Sequence, residues 1–256
     1  MRLKLHISPC PNDTFMFDAL VNGRIDTGSL RFEVEYHDIE ELNRGAGLGR
    51  ADISKISCAV LPAIAEHYVL LDSGAALGRG NGPLLVRRAG DTRPIRRVAV
   101  PGLHTTANAL MGKLFPEIEE RTPLLFSRIA AAVERGDFDA GVLIHEGRFV
   151  YRERELELVA DLGQLWEQRM ALPLGGIAAR RSLPDEVRHE AERLLRTSIE
   201  YAFTHPEASR TYIKQHAQEL DDKVIDAHIA LFVNGYSLSL GDEGRRAGEA
   251  LTGVIP

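Results

Sequence analysis

Two stretches far apart in the chain are written alike: Gly82-Pro83-Leu84-Leu85-Val86-Arg87-Arg88 and Gly175-Gly176-Ile177-Ala178-Ala179-Arg180-Arg181. Each is a glycine-led apolar run of strand length closed by two arginines, and alternating strand and helix patterns fill the interval between them. Two hinge strands passing between lobes would have this form. The plainer alternative is two core strands of one sheet. The hinge reading divides the chain into a large lobe of residues 1–84 plus 176–256 and a small lobe of residues 85–175.

Working outward, the interval reads as strand Arg97–Val100, helix Thr105–Leu114, strand Pro123–Phe126, helix Ile129–Arg135 and strand Ala140–Ile144. Strand Leu156–Ala160 and a short helix around Leu165–Arg169 follow. Before it come strand Arg2–Ile7, a helix from about Thr14 to Val21 with Asn12 or Asp13 as N-cap, and strand Leu30–Tyr36. A short helix Ile39–Asn43, a brief strand Ala51–Ile53 and helix Cys58–Glu66 complete that half. After it, Ser182-Leu183-Pro184-Asp185 has the form of a capping box and Thr204-His205-Pro206-Glu207 opens a second helix. Asp221–Val233 and Asp242–Leu251 supply two more. The alternation predicts an α/β protein with mainly parallel sheets.

Charge and composition narrow the function. Apolar residues at 44% and charged residues at 27% suit a water-soluble globular chain, and a net charge of −6 argues against a nucleic-acid binder. A locally positive pocket for a small anion remains compatible with that charge. The opening residues read as a strand that breaks at Ser8-Pro9, and nothing approaches the roughly 18 apolar residues of a membrane span, so neither a signal peptide nor a span is expected. Cys10 and Cys58 lack metal or disulfide spacing. The cytosol is the expected compartment.

Four segments carry candidate chemistry. Ser8-Pro9-Cys10-Pro11-Asn12-Asp13-Thr14 is a stiffened corner after the first strand, where open α/β sheets place ligands. Ala51-Asp52-Ile53-Ser54-Lys55-Ile56-Ser57 reads as a strand ending in a Ser-Lys-x-Ser turn before a helix, which suits a carboxylate or phosphate. In Val98–Ala107 a strand runs through Pro101-Gly102 into Thr105-Thr106-Ala107, a helix start whose free N–H groups favour an anion. Gly141–Phe149 is a strand ending at His145-Glu146-Gly147-Arg148; a histidine at a sheet edge is placed to act as a general base. Gly45–Gly49 and Gly78–Gly82 lack the context of a nucleotide loop, and no H-E-x-x-H pairing marks a metal site. Cys10 reads as a buried thiol.

Together, Ser8–Thr14, Leu77-Gly78-Arg79-Gly80, Val98–Ala107 with its His-Thr-Thr, and Gly141–Phe149 with its His-Glu-x-Arg-Phe resemble the 1,4-dihydroxy-6-naphthoate synthase family along nearly the whole chain. The resemblance implies a type II periplasmic-binding-protein-like fold, two α/β lobes joined by two hinge strands. It implies cytosolic conversion of cyclic dehypoxanthine futalosine to 1,4-dihydroxy-6-naphthoate and a sugar-derived fragment, in the futalosine route to menaquinone. It further implies His145 as base, substrate contacts at Ser54, Lys55, Ile56, Ser57, Thr106 and Ala107, and no cofactor or metal. A homodimer stays open, because the chain stops at Pro256 without the further C-terminal contacts of some relatives. Competing readings are chorismate dehydratase of the same pathway and a non-catalytic solute-binding protein of the same fold. A third, the effector domain of a transcription regulator, would need a DNA-binding helix pair for which the chain has no room.

Overall fold

A computed structural model describes residues 1–166, 170–218 and 220–254. In chain order the first half contains β1 (Arg2–Ile7), α1 (Pro11–Val21), β2 (Arg31–Tyr36), α2 (Ile39–Gly47), β3 (Ile53–Ser57), α3 (Leu61–Ile64), β4 (Tyr68–Leu70), β5 (Ala76–Gly78) and β6 (Leu84–Arg88). There follow β7 (Arg97–Val100), α4 (Thr106–Leu114), β8 (Glu120–Pro123), α5 (Phe126–Glu134), β9 (Ala140–Leu143), α6 (Gly147–Val150), β10 (Leu156–Asp161), α7 (Leu162–Leu165) and β11 (Leu172–Arg180). Five helices close the chain: α8 (Asp185–Thr204), α9 (Arg210–His216), α10 (Asp222–Phe232), α11 (Gly235–Leu238) and α12 (Gly241–Thr252).

These elements form two α/β lobes. The first sheet has the order β2-β1-β3-β11-β4 with β5 also on β11, and the second the order β10-β6-β9-β7-β8. Both are mixed, not mainly parallel. β1 pairs in parallel with β2 and β3, and β7 with β8 and β9, but β11 and β6 run antiparallel to their neighbours. The reversal follows from the connectivity, because β6 and β11 are the first strands after each passage between the lobes. Of the two look-alike stretches, one therefore lies in each sheet. Leu3, Leu5 and Ile7 of the inner strand β1 pack with Phe15, Phe17, Ile177, Leu194 and Ile199 into the first lobe's core. Ser198 ties α8 to α1, donating to the Met16 carbonyl at 2.7 Å and accepting from the Leu20 N–H at 3.0 Å.

Several local expectations are corrected. Ser54–Ser57 is not a turn but most of strand β3, buried at every position. A strand covered on both faces shows no alternation, and its polar residues imitate a loop. Helix α1 begins at Pro11 with Cys10 as N-cap, so Asn12 and Asp13 lie inside its first turn; proline is favoured at the first helical position, where its missing N–H costs nothing. α8 starts after Pro184 without a side-chain cap, so Ser182 forms no capping box. Pro206–Ser209 is a 3-10 turn leading into α9, with no cap from Thr204. Strand β8 ends at Pro123, and α5 begins at Phe126, earlier than Ile129. Of the helix expected around Leu165–Arg169, residues 167–169 lie outside the described ones; α7 occupies Leu162–Leu165.

The two passages between lobes run side by side. Leu172 pairs with Gly78, so β11 enters the first sheet next to the point where β5 leaves it. Close by, a side chain on Gly163 would put its Cβ 2.2 Å from the carbonyl carbon of Asn81, and one on Gly82 would lie 2.7 Å from the Gly163 nitrogen. Only glycine permits this backbone approach. Arg148 braces it, donating to the Gly82 carbonyl and to Asp161, each at 2.6 Å, while Asp161 caps α7. Among the described residues no helix is long and apolar enough to cross a membrane.

Candidate active site

Between the lobes lies a cavity of about 90 Å³. Lys55, Ile56 and Ser57 line it from β3, Thr105, Thr106 and Ala107 from the start of α4, and Ile144, His145 and Arg148 from the segment after β9. Six of the seven predicted site residues thus face one space. Ser54 does not: its hydroxyl turns away to donate to the Lys55 carbonyl at 2.9 Å.

The floor is a polar network centred on Asp13. Parallel pairing of β1 with β3 aligns His6 with Ser54 and carries the end of β1, and the α1 start behind it, alongside Lys55. The buried Lys55 Nζ lies 3.0 Å from Oδ1 of the fully buried Asp13. Asp13 also accepts from the Ser8 N–H at 3.1 Å, the Ser8 hydroxyl at 2.7 Å and the Asn12 amide at 2.9 Å. The ammonium, expected to meet an anionic ligand, is therefore already compensated. Beside it, Asn43 donates to the Ser57 hydroxyl at 3.0 Å and accepts from the Ser57 N–H at 2.8 Å.

The start of α4 joins the lobes. Thr105 is the N-cap, accepting from the Asn108 N–H. The Thr106 hydroxyl donates to the Leu174 carbonyl on β11 at 2.8 Å and accepts from the Ala59 N–H at 3.3 Å. That explains the second threonine of the motif: one caps the helix and the other clasps the opposite lobe. His104 adds to the clasp through Glu40, 2.6 Å from its Nδ1, and through its carbonyl, which accepts from Asn43 at 3.1 Å. The first-turn N–H groups of α4 have no acceptor carbonyl within the helix, and Thr105, Thr106 and Ala107 at this positive dipole end line the cavity.

His145 has φ of 52°, a left-handed backbone that a non-glycine residue rarely takes. The imidazole packs edge-on against Phe126, with centroids 5.1 Å apart, and parallel to His228 at 5.9 Å and 19°. Burial pushes its pKa down to about 4, with Lys55 adding to the fall and Asp13 opposing it. At neutral pH the ring is uncharged and able to accept a proton.

Two groups of described residues have metal-ligand composition, His6–Glu35–His37 and Cys10–His145–Glu146. In the second, burial, with Glu146 next in size, holds the Cys10 thiol well above its ordinary range. In this state it is a thiol.

Sequence reasoning missed three members. Asp13 was read as a cap, and its tie to Lys55 depends on strand register. Arg148 stood inside the quoted motif without a role. His228 sits in a helix read only as covering the sheet, and one histidine in an amphipathic helix carries no signal.

Comparison with known proteins adds the context. A family model described as menaquinone biosynthesis matches residues 3–255. Two curated 1,4-dihydroxy-6-naphthoate synthases align along most of their length. The one from Thermus thermophilus is 45% identical, covering 96% of this chain and 90% of the relative. The one from Streptomyces coelicolor is 42% identical, covering 96% and 89%. A crystal structure of an Archaeoglobus fulgidus protein superposes with a TM-score of 0.93 at 34% identity, covering 98% of this chain and 95% of that one. At 15% identity, a Candida albicans protein described as having the generic periplasmic-binding-protein fold gives a TM-score of 0.74, covering 98% and 89%. The lobes, the cleft between them and the full-length matches agree: this chain belongs to the menaquinone-biosynthesis family that includes the 1,4-dihydroxy-6-naphthoate synthases.

Proposed function

We propose that this chain is a carbon–carbon lyase that converts cyclic dehypoxanthine futalosine to 1,4-dihydroxy-6-naphthoate, with His145 as the base. The observation that carries the reading is an uncharged imidazole on the same cavity as the start of α4 and the Lys55–Ser57 strand. The substrate's aryl carboxylate docks on the first-turn N–H groups at Thr106 and Ala107, where the helix dipole favours negative charge. With Lys55 compensated by Asp13, this helix end is the stronger anion site. Ser57 and Lys55 fix the floor on which the ring system rests.

His145 takes the proton of a hydroxyl on the sugar-derived ring. The O–H electron pair forms a carbonyl, the adjacent C–C bond breaks, and its electrons enter the new ring, which aromatises. The proton held by the imidazole goes to the ring side, which has received the electron pair, and the fragment leaves as a neutral carbonyl compound. Aromatisation supplies driving force, and positioning in a water-excluded cleft supplies rate.

The cleft must open for this. A cavity of about 150 Å³ holds one benzene ring, so the space of about 90 Å³ is that of the closed form. We take the moving bodies as residues 1–84 plus 176–256 and residues 85–175, turning about the adjacent passages. We infer the cytosol as the compartment of this step, a reading that the family resemblance supports.

Purified protein mixed with the cyclic substrate is expected to release the dihydroxynaphthoate, detected by absorbance and mass. Turnover of chorismate in place of that substrate would overturn the assignment.

A further inference from the structure

We propose that His228 is a second substrate-contacting imidazole, one of whose ring nitrogens hydrogen-bonds a hydroxyl or carbonyl of the sugar-derived part of the substrate. This rests on the function just proposed and deepens it. His228 lies on α10 in the first lobe and lines the cavity, with no exposed surface. Neither of its ring nitrogens has a hydrogen-bond partner. Buried polar atoms in folded proteins are nearly always paired, so two orphans on one ring require an explanation.

The surroundings supply an apolar socket: Phe232 edge-on at 5.0 Å, Phe149 at 6.3 Å and the parallel ring of His145 at 5.9 Å. Phenylalanine would fill that socket without orphaned nitrogens. A histidine there is explained by a partner that arrives with the ligand. Its neighbour His145 comes from the other lobe, so the two rings meet only when the cleft is closed. Burial, then His145 and Lys55, hold His228 far below its ordinary pKa, so it is neutral, with one N–H donor and one acceptor nitrogen. Nδ1 stands 3.8 Å from a Glu146 carboxylate oxygen. That approach sets Nδ1 towards the carboxylate as the donor side and leaves Nε2 as acceptor for a substrate hydroxyl.

The test compares His228→Phe, which keeps ring volume and stacking, with His228→Gln, which keeps polar atoms at similar reach. The Phe variant is expected to keep the wild-type melting temperature and to lose about 10- to 100-fold in kcat/KM, the usual scale for one lost hydrogen bond to a polar substrate group. The Gln variant is expected to recover part of that loss. A Phe variant within about twofold of wild type, with the wild type active, would overturn the role of His228 alone. A wild type inert towards the cyclic substrate would overturn the function as well. Should either variant fail to fold, binding is read with His228 intact: in His145→Ala protein saturated with substrate, the 15N signals of the His228 ring are expected to move. Signals that stay in place while substrate is bound refute the contact.

Discussion

The cleft has two polar regions of opposite design. On its floor, Asp13 accepts hydrogen bonds from Ser8 twice and from Asn12, pairs with the Lys55 ammonium 3.0 Å away, and carries no exposed surface. Across from it, His145 and His228 stack on each other and on phenylalanines, and among the described residues neither ring makes a hydrogen bond. A carboxylate engaged on both oxygens holds shape and has little bonding capacity left. An imidazole pair without partners keeps its capacity for whatever enters. The difference marks the floor as scaffold and the imidazole side as the place where reacting atoms are handled.

The contrast breaks first, and most visibly, at His145. Replacing it with Ala should lower kcat by about two to four orders of magnitude while substrate still binds by calorimetry. Near-normal turnover would show that the base lies elsewhere. At the floor the loss should appear in folding instead. Asp13→Ala leaves a buried ammonium uncompensated and should cost about 3–5 kcal/mol in denaturant unfolding, with the double variant Asp13→Ala/Lys55→Met recovering much of it. An Asp13→Ala protein as stable as wild type would mean the network is not the scaffold described.

Acid sharpens the comparison further. The His145 pKa of about 4 lies below its unfolded value near 6.5, so the unfolded chain binds the proton first. Its stabilising contribution is present above pH 6.5 and lost as pH falls towards 4; the melting temperature should drop across that interval, and less steeply in His145→Asn. For the same reason kcat/KM of the free enzyme should lack the histidine inflection near 6.5. The smallest effect belongs to the half-exposed clasp of Glu40 and His104. Glu40→Gln should shift stability by less than about 1 kcal/mol and raise KM a few-fold; an unchanged KM would show that this contact does not bias closure.

Much of this was legible in the chain. Where exposure alternates, periodicity marked the element: β2 stands within a residue of its expected span, and β1, β7 and the start of α4 also stand where expected. His145 was placed by the apolar strand that delivers it. What stayed hidden was set by non-local pairing. β3 is covered on both faces, so Ser54–Ser57 looked like a turn. Asp13 meets Lys55 only because β1 and β3 are parallel in one register. The Thr106 hydroxyl reaches β11, a strand whose approach no local pattern encodes.

The left-handed backbone at His145 has a consequence for how this scaffold changes over time. A side chain there costs of order 1 kcal/mol that glycine would not incur, and among the described residues the imidazole makes no hydrogen bond to offset it. On the proposed function, a substitution to glycine or asparagine would therefore end the chemistry while leaving the fold as sound as before or sounder. One codon separates a turnover machine from an inert clamp of the same shape. Only continued demand for the product keeps such a chain from sliding down that slope.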